Sequence, residues 1–441
     1  MNRQAPRALL TLLVVATCQV VTRVRDPPTW LPVALGSALA AIALWWALAE
    51  RRAPQVGGRS RAMAFVLRLA PVASVVFSIA ERRRLLLAAP DWLLGLLAFG
   101  ALLSALSFLG SRAVWLSVGG AVLAGIALRL FDFAVVPIDP QRADMIPLVL
   151  SAFDRLAHGQ CPYGMYEMPW RVPLTYLPLT WLSFVPAILA GVDPRWSSTV
   201  SELAFLALLV HVGGGRRTPE SVLLLFAAWF AASSLVASDA LTAMPVQSLA
   251  LGATAGLVAV RSRAAPLAVG FALATTPLAG ALVALVSIRW WCDGPKALAR
   301  RLAEATAIAT LLVLPWVLWS PAAFVAGPVR WFNDLAGFPR QTWLASHAWA
   351  RVAGFTGVFW THGWERLLRP VQAVLVLALA AGYARTRSRL AEGDEPSAWV
   401  GACVATLLAL LLFNVIVWPY LYESASALAL VAVAVSEPRR A

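Results

Sequence analysis

Residues 113–131 read AVWLSVGGAVLAGIALRLF, nineteen residues with a single charge, Arg129. Coiled as a helix, this stretch is about 28 Å long, close to the ~30 Å hydrocarbon thickness of a bilayer. Comparable apolar runs recur along the chain at about 8–22, 31–49, 62–80, 88–110, 173–191, 197–213, 220–237, 241–260, 264–290, 303–323, 370–384, 398–416 and 421–436. A bilayer offers backbone amides no partners, and the runs are too long and too uniformly apolar for barrel strands, so they read as helices. The expected fold is an all-α, polytopic transmembrane helix bundle of about 13–15 spans, with two external loops carrying surface helices.

Composition agrees. Of 441 residues 60% are hydrophobic and 13% charged, and the mean hydropathy is +0.74. Soluble domains carry roughly 25% charged residues, so a soluble enzyme is excluded. The net charge is +14, but the basic residues cluster between apolar runs, where they meet headgroups and fix orientation. Nucleic acid is therefore not an expected partner; membrane lipid is. Every basic residue except Lys296 is arginine, which with abundant Ala, Leu and Val matches the coding habit of GC-rich bacterial genomes. Cys18, Cys161, Cys292 and Cys403 are scattered, with neither the spacing of a zinc site nor that of a disulfide framework.

Arg3 and Arg7 precede an apolar run that continues into TRVRDPP without a small-x-small cleavage site, so it reads as an uncleaved first span. The basic loops ERRAPQVGGRSR near 50, WCDGPKALARR near 295 and ARTRSR near 386, with the terminal EPRR, are the strongest cytoplasmic signals. With fourteen spans and both termini inside, these four fall on one side. The same count puts Arg82 to Arg84, Arg216, Arg217, Arg261 and Arg263 outside, against the rule. Either one segment lies in the interface, or 264–290 is a broken hairpin around Thr276-Pro277. The chain divides into N-terminal membrane helices (1–112), a core (113–323) with an external loop at 132–172, and a C-terminal part (324–441) with a Trp-rich loop.

The first long loop follows the opening segment: FDFAVVPIDPQRADMIPLVLSAFDRLAHGQCPYGMYEMPWRVPLTYLPL, 131–179. After Asp144, residues Met145, Leu148, Val149, Ala152, Phe153 and Leu156 share one side of a helix that Gly159 ends, as expected of a surface helix. The second, from Ala326 to Arg369, interleaves Trp331, Trp343, Trp349, Trp360 and Trp364 with arginines. It reads as interfacial helices, either an aromatic anchor or the wall of a groove for a lipid chain.

Asp144, Gly159, Pro162 and Tyr163, followed by Thr175, Tyr176, Pro178 and Leu179, carry a resemblance. In order and spacing the loop resembles that of the bacterial integral-membrane glycosyltransferases of the GT-C superfamily, especially the polyprenyl-phosphate-mannose-dependent mannosyltransferases. There an acidic residue precedes a surface helix, a G-x-x-x-Y turn and a Y-P-P-L return to the membrane. The aromatic residue expected a few positions after the acid is absent, and Leu177 stands for the first proline. The resemblance implies an inverting sugar transfer from a polyprenyl-phosphate donor to a lipid or glycan acceptor hydroxyl, at the outer face of a bacterial inner membrane.

Such a reaction requires a base for the hydroxyl proton and positive charge for the departing phosphate. Asp144 is the first candidate base, with helix N-capping as its structural alternative; Asp139, in the turn-forming IDPQ, is the second. Arg142, Arg155 and Arg171 are candidate phosphate partners, because guanidinium pairs with phosphate oxygens and stays charged. Glu167 and Tyr163 are candidates for sugar hydroxyls, and the resemblance adds Tyr176. The leaving group is a lipid monophosphate, so no cofactor is expected and a divalent metal is compatible but not required. His158, His347 and His362 share no metal-ligand spacing. Asp132 reads as a membrane boundary, Asp239 as a cavity residue or a cap, and Arg68 and Arg129 as residues that snorkel to an interface. Two other readings stand beside the enzyme: a transporter or flippase for a lipid-linked or small solute, and a GT-C-like scaffold without activity.

Overall fold

The computed structural model describes residues 30–48, 61–109, 113–169, 171–215, 218–331, 354–387, 395–414 and 419–436. Within them the protein is an all-α bundle. Its main helices are α1 (Trp30–Leu48), α2 (Arg61–Glu81), α3 (Asp91–Ala105), α4 (Val114–Val135), the surface helix α5 (Met145–Ala157), the short α6 (Pro178–Leu182) and α7 (Val185–Leu189), α8 (Trp196–Val212), α9 (Glu220–Phe230), α10 (Ser233–Leu241), α11 (Met244–Ala259), α12 (Ala265–Thr275), α13 (Leu278–Trp291), α14 (Pro295–Trp319), α15 (Leu368–Arg387), α16 (Glu395–Leu412) and α17 (Glu423–Ser436), with shorter turns between them. Among the described residues five segments are long and apolar enough to cross a membrane: Ala64–Glu81, Asp91–Leu109, Val114–Val135, Pro295–Trp319 and Glu365–Arg387. A sixth is the α9–α10 pair, bent by 54°. The long α14 leaves nearly all its surface outside the bundle, with Leu311 74% and Leu318 70% exposed. Such a face is costly in water and suited to acyl chains, and the chain is a membrane protein.

Two apolar runs depart from one helix per run. Run 173–191 is not a span: Pro178 and Pro186 each open a five-residue helix, and Pro178–Leu189 covers about 18 Å, too little for a bilayer core. Run 264–290 is two helices, broken where Thr276 is extended (φ −144°, ψ 137°) ahead of Pro277. The second break brings the turn after α11 and the turn after α13 to the same end, where Arg261 lies 3.9 Å from Asp293. Arg261 and Arg263 therefore do not lie across the bundle from the loop near 295, as fourteen single spans require.

Long-range bonds define the two ends. At one end Arg195 donates to the main-chain oxygens of Phe133 and Val136 (2.7 Å each), Thr180 Oγ1 to that of Thr275 (2.5 Å), and the Phe355 N–H to that of Leu412 (2.9 Å). At the other, Arg289 reaches the Ala259 oxygen (3.3 Å) and Trp399 Nε1 the Ala255 oxygen (3.0 Å). The first end carries a platform with its own apolar core, in which Met145, Leu148, Val149, Tyr163, Val172, Leu174 and Trp181 pack with Met244 and Phe324. The platform includes an antiparallel hairpin of β1 (Met165–Glu167) and β2 (Arg171–Pro173), with Glu167 opposite Arg171. The hairpin follows α5, which ends in a left-handed Gly159 (φ +70°). There the N–H groups of Gly159 and Gln160 close back on the Leu156 and Arg155 oxygens, a Schellman stop that turns the chain toward the strands. The second stretch joins the platform through Gly327, where an added Cβ would lie 2.1 Å from the Leu174 oxygen.

Several expectations fall outside the described residues: the first span at 8–22, Trp343, Trp349 and His347 in the second loop, and Arg216 and Arg217.

Helices α3 and α4 pack closely because small residues face each other. A Cβ on Gly120 would lie 2.5 Å from that of Leu103 and 2.6 Å from the Ser104 nitrogen, and Ser117 Oγ donates to the Ser104 oxygen at 2.6 Å. In lipid, such packing and interhelical bonds replace the hydrophobic driving force. Gly120→Val should destabilise the protein by about 1–3 kcal/mol through overpacking, read as a lower melting temperature in detergent. An unchanged melt would refute the close packing.

Candidate active site

The α4 helix ends at Val135, and the chain turns at Asp139, whose Oδ1 accepts the Gln141 N–H at 2.9 Å. This Asx-turn bond gives the Asp139 carboxylate a structural task. Asp144 stands immediately before α5 with helical dihedrals (φ −87°, ψ −13°), and its side chain makes no capping bond to the helix. The carboxylate instead acts on the phenols of Tyr176, in the return to the bundle, and Tyr420, in the turn Pro419–Tyr422. Burial pushes both phenols well above the ordinary tyrosine value, and the Asp144 charge pushes the same way. Both therefore remain protonated at neutral pH. Asp144 itself is half-buried, at the seam between the surface helix and the bundle.

The remaining expected residues divide into two groups. Tyr163 is buried. Its hydroxyl donates to the Tyr176 main-chain oxygen (3.0 Å) and accepts from Trp181 Nε1 (3.3 Å), so it braces the segment that carries Tyr176. Burial raises its phenol above the usual range. Arg142, two residues before Asp144, is exposed. Arg155 and Arg171 lie elsewhere, since ten residues of α5 separate Asp144 from Asp154, about 15 Å along the axis. The Arg155 guanidinium covers the Tyr166 ring at 5.3 Å, and Arg171 pairs with Glu167 at 3.1 Å across the hairpin, both exposed. Burial lifts the Tyr166 phenol to about 12 against the opposing charge of Arg155. Ser151, Asp154, Arg155, Gln160, Tyr166 and Glu167 line an open, polar cleft of about 560 Å³. Asp144 with Tyr176 thus occupies one end of α5, and Arg155 with Glu167 the other.

The histidines have structural settings. His158 Nδ1 lies 2.8 Å from the Asp154 main-chain oxygen, and His362 stacks on Trp364. Among the described residues no group of three or more His, Cys, Asp or Glu side chains is arranged to hold a metal.

Inside the bundle stands an ionic system of a different kind. Arg129 does not snorkel: its side chain is fully buried. Nη1 donates to the main-chain oxygens of Gly125 (3.1 Å) and Phe230 (3.0 Å), Nη2 to Glu202 Oε2 (2.5 Å) and Nε to Asp239 Oδ2. Asp239 thus sits inside α10 bound to Arg129 and caps nothing. Asp132, expected at the membrane boundary, is buried in a two-pronged pair with Arg82 (2.8 and 2.7 Å), which also donates to Ser233 Oγ (2.7 Å). Arg82 is consequently an internal partner and carries no orientation signal. Arg195 binds Asp193 and the end of α4, and Glu423 accepts from Ser238 at 3.2 Å. Of these groups Glu202, Glu423, Asp193 and Arg195 escaped the sequence reading. The available signal was a lone ionisable residue within or beside an apolar run, which in a membrane demands a partner.

Removing Arg129 leaves two carboxyl groups buried without their cation. Arg129→Met should cost about 3–5 kcal/mol, the usual penalty for breaking a buried pair, seen as a large fall in melting temperature in detergent. A melt within a degree or two of wild type would show the network to be dispensable.

Comparison of the chain with family models, with curated proteins and with solved structures finds no match.

Proposed function

We propose that this protein is a membrane glycosyltransferase that moves a sugar, mannose-like, from a polyprenyl-phosphate donor to an acceptor hydroxyl, with Asp144 as the base. One observation carries the reading. Asp144 heads an amphipathic surface helix without capping it, and its carboxylate is set against two neutral phenols at the junction of platform and bundle. A carboxylate there reaches a hydroxyl arriving from water and a sugar presented by a membrane-embedded carrier. Asp144 takes the acceptor proton as the oxygen attacks the anomeric carbon. Tyr176 and Tyr420 donate to sugar or phosphate oxygens, and exposed Arg142 offsets charge on the departing lipid phosphate. This reading puts Arg155 and Arg171, which lie apart from Asp144, on the acceptor side.

The same reading orients the chain. Arg261, Arg263, Lys296, Arg300 and Arg301 gather at the end away from the platform, so the positive-inside rule sets the platform outside. Reading α12 and α13 as the two half-helices of a re-entrant hairpin, and omitting 173–191, gives twelve crossings if 8–22 is a span. Arg261 and Arg263 then lie inside. The membrane is the inner membrane of a bacterium.

A second reading, a transporter or flippase for a lipid-linked solute, gains support from the buried Arg129, Glu202 and Asp239, since ionisable groups within a bundle are the usual furniture of solute and ion paths. One pair of assays separates the two. Purified wild type in proteoliposomes should consume polyprenyl-phosphate sugar when acceptor is present, and Asp144→Asn should lower that rate by about 10²–10⁴-fold, the usual contribution of a general base, with its melting temperature retained. Translocation of a labelled lipid-linked sugar without transfer would favour the second reading. Transfer at the wild-type rate by Asp144→Asn would remove Asp144 from the chemistry.

A further inference from the structure

The interior ionic system is unbalanced. Arg129 from α4 meets Glu202 from α8 and Asp239 from α10, and both acidic side chains are fully buried, as is that of the arginine. Two ionised carboxylates against one guanidinium would leave a net negative charge in an apolar bundle. Glu423 from α17, 2% exposed, acts electrostatically on Glu202 and would add another. Asp132 on α4 acts on Asp239 and is itself matched by Arg82. An uncompensated buried charge costs several kcal/mol even after relaxation, and a protein sheds it by binding a proton.

The oxygens say where the proton goes. Arg129 satisfies Glu202 Oε2 and Asp239 Oδ2, whereas Glu202 Oε1 and Asp239 Oδ1 are buried and receive no donor. Both carboxyl groups sit on one guanidinium, Glu202 on Nη2 and Asp239 on the adjoining Nε, which brings them side by side. Two carboxylates cannot bond, because neither holds a hydrogen; a carboxylic acid and a carboxylate can. One proton between them provides the absent donor and makes the trio with Arg129 neutral.

We propose that Glu202 and Asp239 hold a single proton in common at neutral pH, forming a proton-binding site in the interior of the bundle. This holds whether the protein transfers sugar or moves a solute. The site has neighbours toward the platform: Glu423 interacts with Glu202 and with Tyr420, and Tyr420 with Asp144.

Infrared spectroscopy of the full-length protein in detergent tests this directly, because a protonated carboxyl group absorbs apart from carboxylates and amides. Wild type at neutral pH should show a protonated-carboxyl band shifted by deuteration. Both Glu202→Gln and Asp239→Asn should lose it, and Glu423→Gln should keep it. Glu202→Gln, which supplies a neutral donor of similar shape, should also melt higher than Glu202→Leu. Absence of the band in wild type, its survival in both Glu202→Gln and Asp239→Asn, or its loss only in Glu423→Gln would each overturn the proposal.

Discussion

The bundle depends on a guanidinium that cannot reach water. Arg129 sits deep in α4, and each bond it makes lands on a fixed point: a carbonyl one turn back, the carbonyl at the end of α9, and carboxyl groups on α8 and α10. Apolar packing alone sets helix rotation loosely, because lipid tails are as apolar as leucine. A buried cation with four directed donor contacts fixes the rotation and height of α4 relative to three other helices. The stacking of its guanidinium 4.2 Å from the Phe230 ring completes the enclosure. Arg82 with Asp132 repeats the device nearer the platform, so α2, α4 and α10 are tied at a second level.

The platform owes its position to these ties. Asp132 and Arg129 are one turn apart on α4, just before the chain leaves the bundle for Asp139 and Asp144. Arg195 then fastens the start of α8 to the end of α4 through the Phe133 and Val136 carbonyls. The loop between them is therefore clamped at both feet. The proposed role of Asp144 as a base calls for such clamps, since positional error of an ångström is costly to chemistry. The surface helix adds its own support by burying Met145, Leu148 and Val149 while leaving Asp154 in water.

Much of this could be read from the residues. Hydropathy gave the all-α membrane class; the spacing of Met145, Leu148, Val149 and Ala152 gave the surface helix; and Gly159 marked its stop. The break at Thr276-Pro277 was visible as one of two options. What could not be read is pairing across distance. Arg129 and Asp239 were each seen, but nothing in a linear chain says that residues 110 positions apart share a bond, and Glu202 looks like any polar residue near a helix start. The hairpin was missed because three-residue strands are too short to show alternation. Run 173–191 misled because composition counts Pro178 and Pro186 as acceptable in an apolar stretch, whereas geometry restarts the helix at each.

The seam at Gly327 has a consequence for how this face of the protein can change. With no space for a methyl group against the Leu174 carbonyl, the two long loops meet main chain to main chain at that point. Substitutions on either loop can therefore alter what the surface recognises while the join keeps its geometry. The join itself leaves room for nothing larger than the hydrogen of Gly327.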